Sequence, residues 1–184
     1  QKFLPAQPGK MLTLQGDEIG RHQGLMYYTI GQRKGLQIGG VKGHSEEPWY
    51  VVEKNLRSNE LIVAQGGEHP ALLSSALTAV DMHWINGSPD TSAGKSSPRK
   101  SSSGESSPGE SRPDHLATTL RCSAKTRYRQ ADQACVVTAT PHNELQVEFE
   151  KPQRAVTPGQ FLVLYVGDVC LGGGTIDTAI PAAG

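Results

Sequence analysis

The chain has 184 residues, and its 18 Lys+Arg balance 18 Asp+Glu to a formal net charge of zero. A neutral chain has no global field to steer it toward nucleic acid, so any such binding must come from a local patch. The length admits one domain or two small ones, no apolar run approaches the roughly 18 residues of a membrane helix, and three widely spaced cysteines argue against a disulfide framework.

Free thiols and the lack of a signal-peptide pattern make the cytoplasm the expected location. With Gln1 rather than Met at its start, the chain reads as a piece of a longer polypeptide. Prolines favour an extended entry over residues 3–9. Residues 10–14 and 18–20 read as a hairpin across Gln15-Gly16-Asp17, because Gly and Asp tolerate the positive φ of tight turns. The stretch from His22 to Leu36 sets two tyrosines, a Thr and an Ile between glycines, and predicts a strand over residues 26–30. Gly35-Leu36-Gln37-Ile38-Gly39-Gly40 alternates glycine with apolar residues and cannot pack as a helix interior.

A second hairpin is expected from residues 49–54 and 60–64, then one short helical turn over 69–73. Residues 75–85 alternate, with Leu77, Ala79, Asp81 and His83 opposite Ala76, Thr78, Val80, Met82 and Trp84. Over residues 87–115 Ser, Pro, Gly, Lys and Glu dominate, and no apolar residue is larger than Ala93. Such a segment cannot offset an ordering cost of about 1–2 kcal/mol per residue, so it reads as a disordered linker or loop insertion. Strands then recur at 117–125, 134–140, 144–149, 161–166, 168–171 and 175–179, which points to a mainly β chain ending in a small antiparallel barrel. The expected division is a β domain over 1–86, the linker over 87–115 and a barrel over 116–184.

The strongest local chemistry is Lys125-Thr126-Arg127-Tyr128-Arg129. On a continuing strand Lys125, Arg127 and Arg129 share one side about 7 Å apart, close to the spacing of phosphates along a nucleic-acid strand. The same charges also suit the solvated face of an edge strand. If the strand ends early, Tyr128 can swing out to meet a base or sugar. Gln32-Arg33-Lys34, between two glycines, is either a loop that approaches substrate or another domain, or a solvated turn.

Cys122, Cys135 and Cys170 lie in apolar β-like runs, where burial raises a thiol's pKa and core packing is the expectation. No histidine stands at zinc-ligand spacing from cysteine or another histidine, so no metal is expected. His22 reads as orienting its own motif, and His83, beside Trp84, as a hydrogen-bonded structural histidine. Gly172-Gly173-Gly174 lacks the Lys of a phosphate loop and reads as a bulge or turn.

Taken in order, several motifs carry a resemblance. They are Leu4-Pro5-Ala6-Gln7-Pro8-Gly9-Lys10, His22-x-Gly24-x-x-x-Tyr28-Thr29-x-Gly31-Gln32-Arg33-x-Gly35-Leu36, Pro48-Trp49-Tyr50-Val51-Val52, His69-Pro70-Ala71-Leu72, Lys125-Thr126-Arg127-Tyr128-Arg129-Gln130, Thr157-Pro158-Gly159-Gln160 and Val169-Cys170-Leu171-Gly172-Gly173-Gly174. Together they resemble the region after the catalytic domain in the bacterial tRNA-specific 2-thiouridylase family. The resemblance implies a small central β domain followed by a six-stranded antiparallel barrel like the second domain of elongation factors. It implies tRNA as partner, with contacts at Arg127, Tyr128 and Gln160, which Lys125 and Arg129 would extend.

For the parent enzyme the resemblance implies ATP, with Mg, to adenylate the wobble uridine, and a persulfide sulfur fed by a sulfur-relay donor protein. The ATP loop and catalytic cysteines of that family have no match here. This chain is therefore expected to hold no cofactor, to be inactive alone, and to partner an N-terminal catalytic domain. Gln37 stands where the family usually has Gly, and the family's connection is much shorter at residues 87–115. The alternative, from another class, is a translation-factor-like barrel for protein interaction, with the loop 32–40 and Trp49 set against a protein partner.

Overall fold

The computed structural model describes residues 6–86, 119–140 and 144–182. The linker expected over 87–115 and the turn at Pro141-His142-Asn143 lie outside these residues. The strands are β1 (Gly9–Thr13), β2 (Glu18–His22), β3 (Trp49–Asn55), β4 (Glu60–Gln65), β5 (Leu73–Trp84), β6 (Thr119–Lys125), β7 (Gln133–Ala139), β8 (Leu145–Arg154), β9 (Phe161–Val166) and β10 (Val169–Pro181). The chain is mainly β, as its composition requires. The first four strands form a sheet in the order β2-β1-β4-β3, with β1 and β4 parallel and the other pairs antiparallel. The other six close into the expected antiparallel barrel, β10-β5-β8-β7-β6-β9.

The expected domain boundary at residue 86 moves. β5 pairs with β8 on one side and β10 on the other, so it belongs to the barrel. Without it the barrel would stay open, with two unpaired edges. The change of domain therefore falls near the 3-10 turn Pro70–Leu72, whose N-terminal His69 side chain accepts a hydrogen bond from Ala71 N–H. The compositional break at Gly87 falls instead between two strands of one barrel.

Each unit has its own apolar core. In the sheet domain Met11, Val51, Leu61 and Val63 are at most 1% exposed and pack with Leu25, Tyr28, Leu36 and Trp49. Truncating such a residue, as in Leu61→Ala, costs about 2–5 kcal/mol. The barrel interior is filled by Leu77, Ala79, Val147, Leu162, Leu164 and Ile176, among others.

Three local expectations are corrected or refined. The strand expected over 26–30 is instead a 3-10 turn, Leu25–Tyr27. Leu25 and Tyr28 are buried while Met26 and Tyr27 are exposed, a spacing of three that suits a turn and not an alternating strand. In β5, Asp81 takes a positive φ of 52° and shifts the phase. Leu77 and Ala79 face inward before it, and Met82 and Trp84 after it. His83 is consequently exposed on the outer face, which does not suit the structural role expected of it beside Trp84. The triple glycine is a bulged part of β10, where a Cβ on Gly172 would lie 2.2 Å from the His83 carbonyl oxygen and one on Gly173 2.5 Å from that of Leu162. Glycine lets three strands approach there.

Candidate nucleic-acid interface

β6 ends at Lys125, so the row of cations expected along one strand is not formed. Thr126 is 4% exposed, and both its backbone N–H and its hydroxyl donate to Gln130 Oε1, each at 3.0 Å. That pair of bonds folds the chain back, and Gln130 N–H to Arg127 O at 3.2 Å closes the turn. Gln130 Nε2 in turn donates to Gln153 Oε1 at 2.8 Å. Gln153, 5% exposed, donates to Gln133 Oε1 at 3.0 Å and to Lys151 O at 2.7 Å. A chain of three glutamines thus pins the turn to β7 and β8.

Each cation finds a different setting. Lys125 Nζ lies 3.1 Å from Asp132 Oδ1 and 5.2 Å from the centroid of the Tyr165 ring. Arg127 donates from Nη2 to Ala155 O at 2.9 Å, and burial, with the neighbouring Arg154 charge, holds its pKa below the usual arginine value. Arg129 is exposed and has no carboxylate partner among the described residues. Tyr128, at the tip, is 93% exposed.

Gln160 arrives from a distant part of the chain. The turn Thr157-Pro158-Gly159-Gln160 is closed by Gln160 N–H to Thr157 O at 3.2 Å and held to β10 by two backbone bonds with Ile176, each 2.8 Å. Its side-chain amide bonds no other described residue. Because β6 and β9 are antiparallel, with Lys125 opposite Val163, the turn after β6 lies beside the start of β9. Lys125, Arg127, Tyr128 and Gln160 therefore line one cavity of about 740 Å³, together with Phe161, Val163 and Tyr165. Arg129 does not line it. Phe161 and Tyr165 were missed in the sequence, although their outward parity on β9 was legible once Leu162 and Leu164 were assigned to the core.

Gln32, Arg33 and Lys34 do not line this cavity. Gln32 braces its own turn, accepting from Thr29 N–H at 3.0 Å and donating to Lys34 O at 2.9 Å. Arg33 and Lys34 are exposed. The preceding Gly31 is what meets the barrel. Its φ is 81°, and a Cβ there would lie 2.6 Å from Ala155 Cβ and 3.5 Å from Arg127 Nη2. Ala155, at φ 54°, donates to Leu72 O at 2.7 Å, and Arg154 Nε donates to Gly67 O at 2.7 Å while its guanidinium lies 5.0 Å from the Tyr50 ring centroid. Arg127 therefore both lines the cavity and stands at the junction of the two units. Trp49 is 8% exposed and packs in the sheet-domain core.

Gln37 has φ 54°, a conformation glycine adopts without cost and other residues adopt rarely. His22 is 1% exposed; its Nδ1 accepts from Gly24 N–H at 3.0 Å and its Nε2 lies 3.1 Å from Asn59 O, so it orients its own motif as expected. Cys122 and Cys135 are cross-strand neighbours with sulfurs 3.7 Å apart. The hydrogen-bonding contact with Cys135 lowers the Cys122 pKa, while that same contact and burial push the Cys135 thiol up. The expectation that burial raises every thiol thus fails at Cys122, where the hydrogen bond outweighs desolvation. Among the described residues no group of three or more His, Cys, Asp or Glu is placed to hold a metal ion.

Residues 1–65 match the family described as tRNA methyl transferase PRC-barrel domain, and residues 74–176 the one described as aminomethyltransferase beta-barrel domain. The second match begins within β5, in agreement with the strand order. Over 180 residues the chain is 51% identical to the tRNA-specific 2-thiouridylase MnmA of Klebsiella pneumoniae subsp. pneumoniae, a match covering 98% of this chain and 42% of that protein. It is 49% identical over 182 residues to the MnmA of Enterobacter sp. (strain 638), covering 99% and 42%. The MnmA of Salmonella typhimurium is 49% identical over 180 residues, covering 98% and 42%. The chain thus spans about two fifths of the length of the curated relatives it matches, and it belongs to the tRNA-specific 2-thiouridylase family.

Proposed function

We propose that this chain is the tRNA-holding part of a cytoplasmic tRNA 2-thiouridylase, and that the cavity between the β6–β7 turn and β9 is where it grips RNA. The observation that carries this reading is the gathering of Lys125, Arg127, Tyr128 and Gln160 around one cavity, although Gln160 lies more than thirty residues beyond Tyr128 in the chain. Guanidinium and ammonium groups attract phosphates, an exposed phenol stacks on a base or sugar, and a free amide donates to and accepts from a base edge.

Thiolation of the wobble uridine, with ATP and Mg as activator and a persulfide sulfur from a relay protein, is assigned to the remainder of the longer enzyme. Two features support that division. Cys122 and Cys135 pack with the barrel core, which does not suit a sulfur carrier, and the triple glycine is consumed by strand packing, which does not suit a phosphate cradle. This chain would present tRNA to that catalytic domain.

The test is a titration of the full chain with tRNA at several salt concentrations. Lys125 is locally neutralised by Asp132, so the two guanidinium groups of this turn, Arg127 in the cavity and the exposed Arg129 outside it, predict a log–log slope of about −1.5 to −2. Arg127→Ala should flatten it by about 0.7 to 0.9. An affinity independent of salt would contradict the reading.

A further inference from the structure

Two of the three cysteines meet in the barrel. β6 and β7 run antiparallel with Cys122 directly opposite Cys135, and their sulfurs lie 3.7 Å apart. Directly opposed residues in antiparallel strands have Cα atoms about 4.5 or 5.5 Å apart, and both values fall within the roughly 4.4–6.8 Å that a disulfide spans. Closing the sulfurs to a bond of about 2 Å is therefore a matter of side-chain rotation with the strands in place. The two thiols differ in access. Cys135 is 2% exposed, whereas Cys122 is half-buried at the point where β9, which pairs with β6 only over residues 123–125, stops covering it. Contact with Cys135 also favours the Cys122 thiolate, the nucleophilic form. Cys170 stands apart. It lies opposite Tyr165, so β9 separates it from β6, and it shares the outward side of Tyr165, whose neighbour Leu164 is fully buried.

We propose that Cys122 and Cys135 form a reversible oxidation site, at which hydrogen peroxide converts the pair to a disulfide across β6 and β7. The Cys122 sulfur, as thiolate, attacks one peroxide oxygen. The O–O bond breaks, the leaving hydroxide takes a proton to become water, and Cys122 is left as a sulfenic acid. The Cys135 sulfur then attacks Cys122 Sγ. The S–S bond forms as the S–O bond breaks, and the departing hydroxide takes the Cys135 proton as a second water. The two sulfurs together lose the electron pair that the peroxide gains. With the partner thiol 3.7 Å away this second step is intramolecular, ahead of further oxidation to the irreversible acids. A dithiol reductant restores the pair by exchange, as suits a reducing compartment, where disulfides are transient. The bridge would tie β6 to β7 just before Lys125, where the hairpin opens into the turn of residues 126–132. None of this depends on the RNA-binding reading.

The test treats the reduced full chain with hydrogen peroxide, alkylates the remaining thiols and digests it without reductant for mass spectrometry, beside Cys122→Ala, Cys135→Ala and Cys170→Ala. Circular dichroism checks that each variant keeps its fold, and the wild-type peptide map needs no variant at all. The wild-type chain should yield a peptide pair joining Cys122 to Cys135, lighter by two hydrogen atoms than the reduced peptides, with Cys170 alkylated. Dithiothreitol should reverse the link. Cys170→Ala should behave as the wild type, and both other variants should lose the link. In Cys135→Ala, dimedone should trap a sulfenic acid on Cys122, whereas in Cys122→Ala the Cys135 thiol should stay reduced. The linked chain should melt on the order of 5–10 °C above the reduced one. A link made through Cys170, sulfinic acid on wild-type Cys122 without a link, or three free thiols after treatment would each overturn the proposal. So would a link that forms only in urea-unfolded chain, or a linked chain that melts no higher than the reduced one.

Discussion

Asp132 decides how much of Lys125 an RNA can feel. Its carboxylate sits 3.1 Å from the ammonium group, so Asp132→Asn should release a cation at the cavity. The expected result is a tRNA affinity several-fold higher near 0.1 M salt and a log–log slope steeper by about 0.7 to 0.9. Gly31 is the second decisive position. Adding a methyl group there meets Ala155 Cβ at 2.6 Å at a positive φ, so Gly31→Ala should lower stability by about 1–3 kcal/mol in urea titrations. Gly39→Ala, with open space around the added carbon, is the matched control and should change little. The cysteine pair predicts a reactivity order. Because Cys122 is pulled down and Cys135 pushed up, more Cys122 is thiolate at any given pH. Alkylation followed by mass spectrometry should reach Cys122 first, and Cys135→Ala should move the Cys122 pH–rate curve to higher pH by removing the sulfur contact that lowers it.

At the scale of elements, the turn after β6 is held partly by Gln130 and Gln153, which do not line the cavity. Gln153→Ala would strand Gln130 Nε2 in a half-buried site, which costs about 1–3 kcal/mol and loosens the turn that carries Arg127 and Tyr128. Both the urea midpoint and tRNA affinity should fall, although Gln153 itself does not line the cavity. This turn also marks where the sequence stops being legible. Most strands could be read from alternation and turn residues, because a half-buried strand writes its burial into period two. The extension of β6 through Arg129 could not be excluded that way, since the bonds that end it come from Gln130 and Gln153, one of them more than twenty residues away in the chain. The phase shift at Asp81 is similar: a single left-handed residue reverses the faces of Met82 and His83, and composition gives no warning of it. The turn at Leu25–Tyr27 was misread because Tyr, Thr and Ile carry strand propensity, yet burial of Leu25 and Tyr28 overrode it.

For the whole molecule, a net charge of zero coexists with a locally cationic cavity. Binding should therefore be short-ranged and dependent on shape, with two or three charges and two rings sharing the work. The junction of the sheet domain and the barrel runs through Gly31, Ala155, Arg127 and Arg154, so the geometry of the cavity is tied to how the units meet. The candidate site residues became apparent in three ways: Lys125, Arg127 and Tyr128 as a basic run with an aromatic, Gln160 through resemblance to a family, and Phe161 and Tyr165 only once the barrel had closed and their side of β9 was known. The most direct measurement is chemical-shift mapping of the isotope-labelled chain titrated with tRNA. The account predicts perturbations concentrated on residues 125–128 and 159–165. Perturbations confined to the loop of residues 32–40, or spread evenly over the basic residues with none in that cavity, would contradict it.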